Sequence, residues 1–130
     1  MESRKLGHHG PAITTVGFGS WATGGAWLNG SRQNGWSGVD DDDSVAAIQH
    51  AIDSGVNWID TAAVYGLGHS ERVVGRAVTP YRVHEDVYVF TKCGVNWYDD
   101  GIPKRTLRPD AIRYECEQSL ERLGLDSIDL

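Results

Sequence analysis

The chain has 130 residues, enough for one domain with a real core, and its 40% apolar and 23% charged content is globular rather than disordered. A formal net charge of −6 argues against nucleic acid or an anionic membrane as a partner, and no apolar run is long enough to cross a bilayer. Met1–Lys5 is not followed by an apolar stretch, so no secretory signal is expected; Cys93 and Cys116 form no CxxC or metal spacing, so free thiols and a cytoplasmic location are expected.

Arg4–Gly7 and Ala12–Thr14 flank the turn signal His8-His9-Gly10-Pro11, which predicts a small N-terminal hairpin. Two adjacent histidines on a turn point apart and nothing nearby completes a metal site. Thr15–Ser20 reads as a strand. Some twenty glycine-rich residues follow, without predicted structure, with Trp21, Trp27 and Trp36 interspersed. Such long loops are usually functional, and three tryptophans there can wall a flat or apolar ligand or simply pack the loop. Ser44–Ser54 has Val45, Ile48 and Ile52 at helical spacing, with Gly55 as the stop. Asp40 to Asp43 lack a calcium-loop pattern and fit the positive end of a helix dipole.

Val56–Ile59 reads as a short strand ending in Asp60, and Tyr65 follows at the start of a Gly-bearing loop. Ser70–Val78 predicts a helix capped by Ser70 and ended before Pro80. Val87–Lys92 is the next strand. A second long loop, Cys93–Arg108, carries Trp97, Tyr98, Asp99, Asp100 and Gly101. Pro109 opens a helix whose apolar stripe is Ile112, Cys116, Leu120 and Leu123, ended by Gly124, and Asp126–Leu130 looks like the start of a further strand.

The order is hairpin, β-α-β-α-β-α, then the beginning of β. Such alternation predicts a parallel sheet of α/β class. Long aromatic loops leave the strands' C-terminal ends, while the returns from helix to strand are shorter, as in a (β/α)₈ barrel whose active face lies at the strands' C-terminal ends. A complete barrel takes about 250 residues. The chain is therefore expected to form one partial domain, residues 1–130, the N-terminal half of a barrel stopping as its fourth strand begins.

That face gathers a carboxylate, a phenol and an amine: Asp60, Tyr65 and Lys92. A phenol is a weak acid, and a neighbouring ammonium stabilises its phenolate. Lys92 beside Tyr65, held by Asp60, would make a proton donor suited to a carbonyl oxygen while hydride reaches carbon. No side chain donates hydride, so a nicotinamide is required. Singly, each residue has an ordinary explanation as a cap, a loop wall or a solvated end; their convergence on one predicted face is the signal.

These residues resemble the N-terminal part of an aldo-keto reductase over essentially the whole chain. The likeness is carried by Arg4–Gly7, Gly17-Phe18-Gly19-Ser20-Trp21, Gly55–Ala62 with Tyr65-Gly66, Gly68-His69-Ser70-Glu71, Thr91-Lys92, Ser119–Gly124 and Asp129-Leu130. The tryptophan-bearing first loop and the Gly-Leu-Gly-His-Ser-Glu step are more similar to the bacterial general-stress type than to the aldose reductase type. The resemblance implies a TIM barrel, NADPH as cofactor, and reduction of aldehydes and ketones to alcohols. It implies Tyr65 as general acid, Lys92 as the residue that strengthens that acid, and Asp60 as the lysine's partner. It also implies Gly19, Ser20, Trp21 and Asp60 near the cofactor, Trp21 and Trp97 near a small-molecule carbonyl substrate, and no metal. The family's fourth catalytic residue, a histidine, is expected past Leu130. A chain without it, and with unpaired sheet edges, is expected to be inactive alone.

Two alternatives accompany this reading. Gly17-Phe18-Gly19-Ser20-Trp21-Ala22 satisfies a dinucleotide-binding fingerprint, but Thr23-Gly24-Gly25 and Gly30 oppose the helix that must open there. A non-catalytic, NADPH-binding or regulatory protein on the same scaffold is the other.

Overall fold

The chain opens on the expected hairpin, β1 (Ser3–Lys5) pairing antiparallel with β2 (Ala12–Thr14). The next predicted strand contracts to β3 (Phe18–Gly19). Gly17 just before it lies against the Trp58 indole, where an added Cβ would come within 2.1 Å of the ring. The first long loop is not structureless. It holds a 3₁₀ turn at Ala22–Gly24 and a second hairpin, β4 (Trp27–Asn29) with β5 (Arg32–Asn34), closed by Gly30 at φ 60°. The turn is too short to be the helix that a dinucleotide fingerprint needs.

Helix α1 (Asp41–Asp53) begins earlier than its apolar spacing implied. The Asp40 carboxylate accepts from the backbone N–H groups of Asp42 and Asp43, as an N-cap does. Asp41 and Asp42 also reach across to the next helix, to His69 at 2.8 Å and Arg76 at 2.6 Å. Gly55, at φ 95°, turns the chain into β6 (Trp58–Asp60).

The second helix, α2, runs His69–Arg82 and does not stop before Pro80. Proline removes one backbone donor there, but the turn beyond it has tertiary partners. The Tyr81 hydroxyl donates to Asp53 at 2.8 Å, and Arg82 donates to the Val87 carbonyl at 3.0 Å and to Asp129 at 2.8 Å. Strand β7 (Tyr88–Phe90), a minimal antiparallel pair of β8 (Val95–Asn96) with β9 (Lys104–Arg105), and α3 (Pro109–Leu123) complete the order. Gly124 ends α3 in the left-handed conformation expected of it. The computed structural model describes residues 1–82, 87–97 and 101–130; Tyr98, Asp99 and Asp100 of the second loop lie outside the described residues.

Strands β3, β6 and β7 form a parallel sheet in that order, with α1 and α2 as crossovers. Asp126–Leu130 has no regular pairing, yet it lies alongside β7: Asp129 N–H donates to the Val89 carbonyl at 3.1 Å and Thr91 N–H to the Leu130 carbonyl at 2.8 Å. Ile59 and Val89 face the helices and form the core with Ile48, Val73, Val74, Ala77, Val78, Val87 and Leu123. The N-terminal hairpin is fastened to the start of β6. Asn57 accepts from Thr14 N–H and donates to the Ala12 carbonyl, at 2.8 and 2.9 Å, and Trp58 Nε1 donates to the Thr14 carbonyl at 2.9 Å. The hairpin thus closes the N-terminal end of the sheet, opposite the end that bears Asp60.

Helix α3 departs from its expected packing. Of the predicted stripe only Leu123 is buried, while Ile112 and Cys116 are exposed; the buried face is Ala111, Glu115, Ser119 and Leu123. Two constraints select that face. Gly75 of α2 sits so close to α3 that an added Cβ would stand 2.2 Å from the Leu123 carbonyl oxygen. Glu71, with no exposed surface, accepts from Arg122 Nε at 2.5 Å and from the Thr91 hydroxyl at 2.7 Å.

Gly75→Ala should lower stability by about 1–2 kcal/mol, because overpacking against backbone costs ~1–3 kcal/mol and outweighs the ~1 kcal/mol gained in helix propensity. Urea denaturation of the chain should show a lower midpoint at unchanged slope. Glu71→Ala strands a guanidinium and should cost about 3–5 kcal/mol. Glu71→Leu combined with Arg122→Met should recover at least half of that loss in the same assay; no recovery would mean that the pair is not what binds α2 to α3.

Candidate active site

Side chains alternate across a strand, so Trp58 and Asp60 of β6 share one face with Tyr88 and Phe90 of β7, away from the helices. Asp60 lies opposite Phe90 in the parallel register, and Lys92 is two residues further along the same face. Lys92 Nζ donates to both oxygens of Asp60, at 2.6 and 2.7 Å. The pair is part-exposed, with 48% of the lysine side chain and 39% of the aspartate in contact with solvent. The same ammonium stands 5.3 Å from the centre of the Tyr65 ring. The structure therefore brings together the carboxylate, amine and phenol that the sequence singles out.

Tyr65 is delivered by the tight turn between β6 and α2. Its N–H donates to the Ala62 carbonyl at 3.1 Å, and its carbonyl accepts from Ser70 N–H at 3.1 Å. Leu67 in this turn has φ 50°, the sole positive value for a non-glycine among the described residues. Such backbone costs about 1–3 kcal/mol and persists where its surroundings over-determine it. The surroundings here include the first loop: an added Cβ on Gly66 would lie 2.0 Å from the Gly24 carbonyl oxygen, and one on Gly24 would lie 2.8 Å from Gly66 N. The tryptophan loop and the tyrosine turn touch backbone to backbone.

That contact sets Trp21 beside Tyr65, with ring centres 6.3 Å apart and planes tilted by 37°. Gly19, opposite Asp60, is exposed, and an added Cβ there would meet open space. Ser20 is placed differently from Gly19 and Trp21. It is fully buried; its N–H and hydroxyl both donate to the Asp60 carbonyl at 2.9 Å, and its hydroxyl also lies 2.9 Å from that of Ser70. The hydroxyls of Thr23 and Thr61 converge on Ser70 at 2.9 and 3.0 Å. Ser70, expected to cap α2, is the centre of this buried hydroxyl cluster, and Ser20 has no side-chain atom free to meet a cofactor.

Trp97 is not brought to the Trp21–Tyr65 group. Its ring lies under the Arg122 guanidinium, 5.3 Å from the centroid, and it lines a small cavity with Asn96, Tyr114, Glu115, Gln118 and Arg122. Glu115, itself buried, accepts from Gly94 N–H at 2.8 Å. Glu71 and Glu115 thus brace the chain on either side of Lys92, through Thr91 and Gly94. Glu71 enters the sequence reading only within the family resemblance, with no packing role, and Glu115 not at all. Their signal was present: Glu71 is in phase with Val74 and Val78, and Glu115 with Ala111 and Ser119, so each carboxylate falls on a helix face that packs inward.

Residues 15–130 match the sequence model of the Aldo/keto reductase family. The chain is 35% identical over 130 residues to the aldo-keto reductase YhdN of Bacillus subtilis, covering all of this chain and 37% of that protein. It is also 35% identical, over 140 residues, to an NADH-specific methylglyoxal reductase of Escherichia coli, covering all of this chain and 40% of the relative. Among solved structures, the holo form of aldo-keto reductase AKR11C1 from Bacillus halodurans superposes with a TM-score of 0.81 at 25% identity, over 98% of this chain and 38% of that one. The chain therefore spans less than half the length of the relatives it matches, and its fold is the N-terminal half of their (β/α)₈ barrel. The hairpin, the three parallel βα units and the residues matched from 15 to 130 establish that this chain belongs to the aldo/keto reductase family.

Proposed function

We propose that this chain carries the proton-donating part of an NADPH-dependent carbonyl reductase, with Tyr65 as general acid, Lys92 as its electrostatic partner and Asp60 as the residue that holds Lys92. The observation that carries the reading is the bidentate Asp60–Lys92 pair with its ammonium 5.3 Å from the Tyr65 ring. The Tyr65 hydroxyl gives its proton to the carbonyl oxygen of an aldehyde or ketone, and the phenolate left behind is stabilised by the ammonium beside it. Asp60 keeps that ammonium from swinging into solvent, because both carboxylate oxygens are hydrogen-bonded to it.

The residues fit a nicotinamide. Gly19 presents open space at the strand end opposite Asp60, and Trp21 offers a half-exposed aromatic face next to Tyr65. When bound, the nicotinamide supplies the hydride. Gly19, Trp21 and Asp60 are the residues of this chain proposed to lie against it, with Ser20 as a positioning residue that fixes the backbone of Asp60. The substrate is proposed to be a small carbonyl compound walled by Trp21. Trp97, which lies under Arg122, is not proposed as part of that wall. The E. coli relative is NADH-specific, so the choice between the two dinucleotides is part of the test.

The experiment is a chimera in which this chain replaces the corresponding part of the B. subtilis reductase. Reduction of an aromatic ketone by NADPH and by NADH is then compared in the parent, Tyr65→Phe and Lys92→Met. Tyr65→Phe should lower kcat by about 10²–10⁴-fold, the range for a general acid, while the dissociation constant for NADPH stays within about twofold. Lys92→Met should also depress kcat. Retention of full activity by Tyr65→Phe would refute the assignment.

A further inference from the structure

Trp21 and Trp36 are half exposed in this chain, at 50% and 47%. Their rings meet edge to face, centres 4.4 Å apart and planes at 82°, so together they form a right-angled aromatic corner. Trp21 is also the neighbour of Tyr65, which places the corner beside the phenol.

The corner is rigidly held. Trp36 directly follows Gly35, whose φ is 75° and whose added Cβ would stand 1.9 Å from the Gly25 carbonyl oxygen. The end of β5 is therefore packed on the backbone just past the 3₁₀ turn. That turn is fixed in its own right, by the Gly24–Gly66 contact and by the Thr23 hydroxyl, which donates to the Ser20 carbonyl at 2.8 Å. Two backbone approaches and one hydroxyl cluster thus set Trp36 relative to Tyr65. The mount, rather than the exposure of the rings, is what distinguishes this corner: close backbone approaches at Gly24 and Gly35 fix both ends of the segment between the two indoles.

We propose that Trp36, carried by the β4–β5 hairpin, is a specificity-determining residue, and that the Trp21–Trp36 corner takes a flat aromatic ring attached to the reacting carbonyl. The inference rests on the carbonyl-reductase reading for its ligand class. A ring seated there stacks on one indole and meets the other by its edge, the arrangements that aromatic pairs prefer. An acyclic or non-planar group gains only the loss of exposed apolar area. The hairpin thereby selects among substrates without touching the proton-transfer group.

The test measures binding of acetophenone, cyclohexyl methyl ketone and acetone to the chain by ligand-observed NMR, in the parent, Trp36→Ala, Trp36→Phe and Tyr65→Phe. Acetophenone should bind about tenfold more weakly to Trp36→Ala and within about twofold of the parent to Trp36→Phe, with acetone unaffected in both. Its preference over cyclohexyl methyl ketone should shrink in Trp36→Ala. Unchanged acetophenone affinity in Trp36→Ala, or equal weakening of all three ketones, would overturn the assignment. Tyr65→Phe should keep the aromatic preference. Full turnover by the Tyr65→Phe chimera would refute the reductase reading alone, while the affinity series still reports on Trp36.

Discussion

The buried carboxylate of Glu71 organises this half barrel. Glu71 has no exposed surface and sits where α2 begins, yet it accepts from Arg122 on α3 and from Thr91 at the end of β7. A charge taken out of water is tolerated only when paired and hydrogen-bonded, so those partners have little freedom to be elsewhere. The consequence for α3 is direct. Arg122 must face α2, which brings Ser119, Glu115 and Ala111 inward and turns Ile112 and Cys116 outward. Electrostatics, with the close helix approach at Gly75, overrides the apolar pattern in choosing the buried face.

The consequence for the site is equally direct. Thr91 precedes Lys92, and Gly94 two residues later is held by Glu115, so the helices on the outside brace the lysine on the inside. The parallel register supplies the rest: Asp60 is opposite Phe90, and the two-residue period of a strand sends Lys92 to the same side as Asp60. Their ion pair is part-exposed and worth little as a stabiliser. Its proposed role is to keep an ammonium near Tyr65, whose ring centre is 5.3 Å away. Beneath it, the Ser20, Thr23, Thr61 and Ser70 hydroxyls tie the ends of two strands to the start of α2.

The first loop shows how little of a long connection can be read from composition. Its glycines look like permission for disorder. Two are instead points of contact: Gly24 against Gly66 and Gly35 against Gly25 have no room for a side chain. Such approaches depend on which segment arrives opposite, and nothing local to the loop reveals that. The tryptophans were legible as candidates for a wall, but only the fold shows that Trp21 lies beside Tyr65 with Trp36 against Trp21, while Trp97 lies under Arg122.

By itself the sequence determined the α/β class and the order of the hairpin and the three βα units, though not the short strand pairs inside the two long loops, because βα alternation, helix stops at Gly55 and Gly124, and polar strand ends are local signals that survive without neighbours. It also determined Asp60, Tyr65 and Lys92 as one group, since strand ends in a parallel α/β protein share a face whatever their separation in the chain. Only the tertiary structure decided which side of α3 is buried, that α2 continues through Pro80 to meet Asp53 and Asp129, and that Ser20 and Ser70 face one another. Each of those outcomes turns on a partner far away in sequence: a buried charge, a hydroxyl or a backbone carbonyl whose position is fixed only when the helices close on the sheet. Local propensity ranks the alternatives weakly, and a single unpaired buried polar group costs more than that ranking is worth.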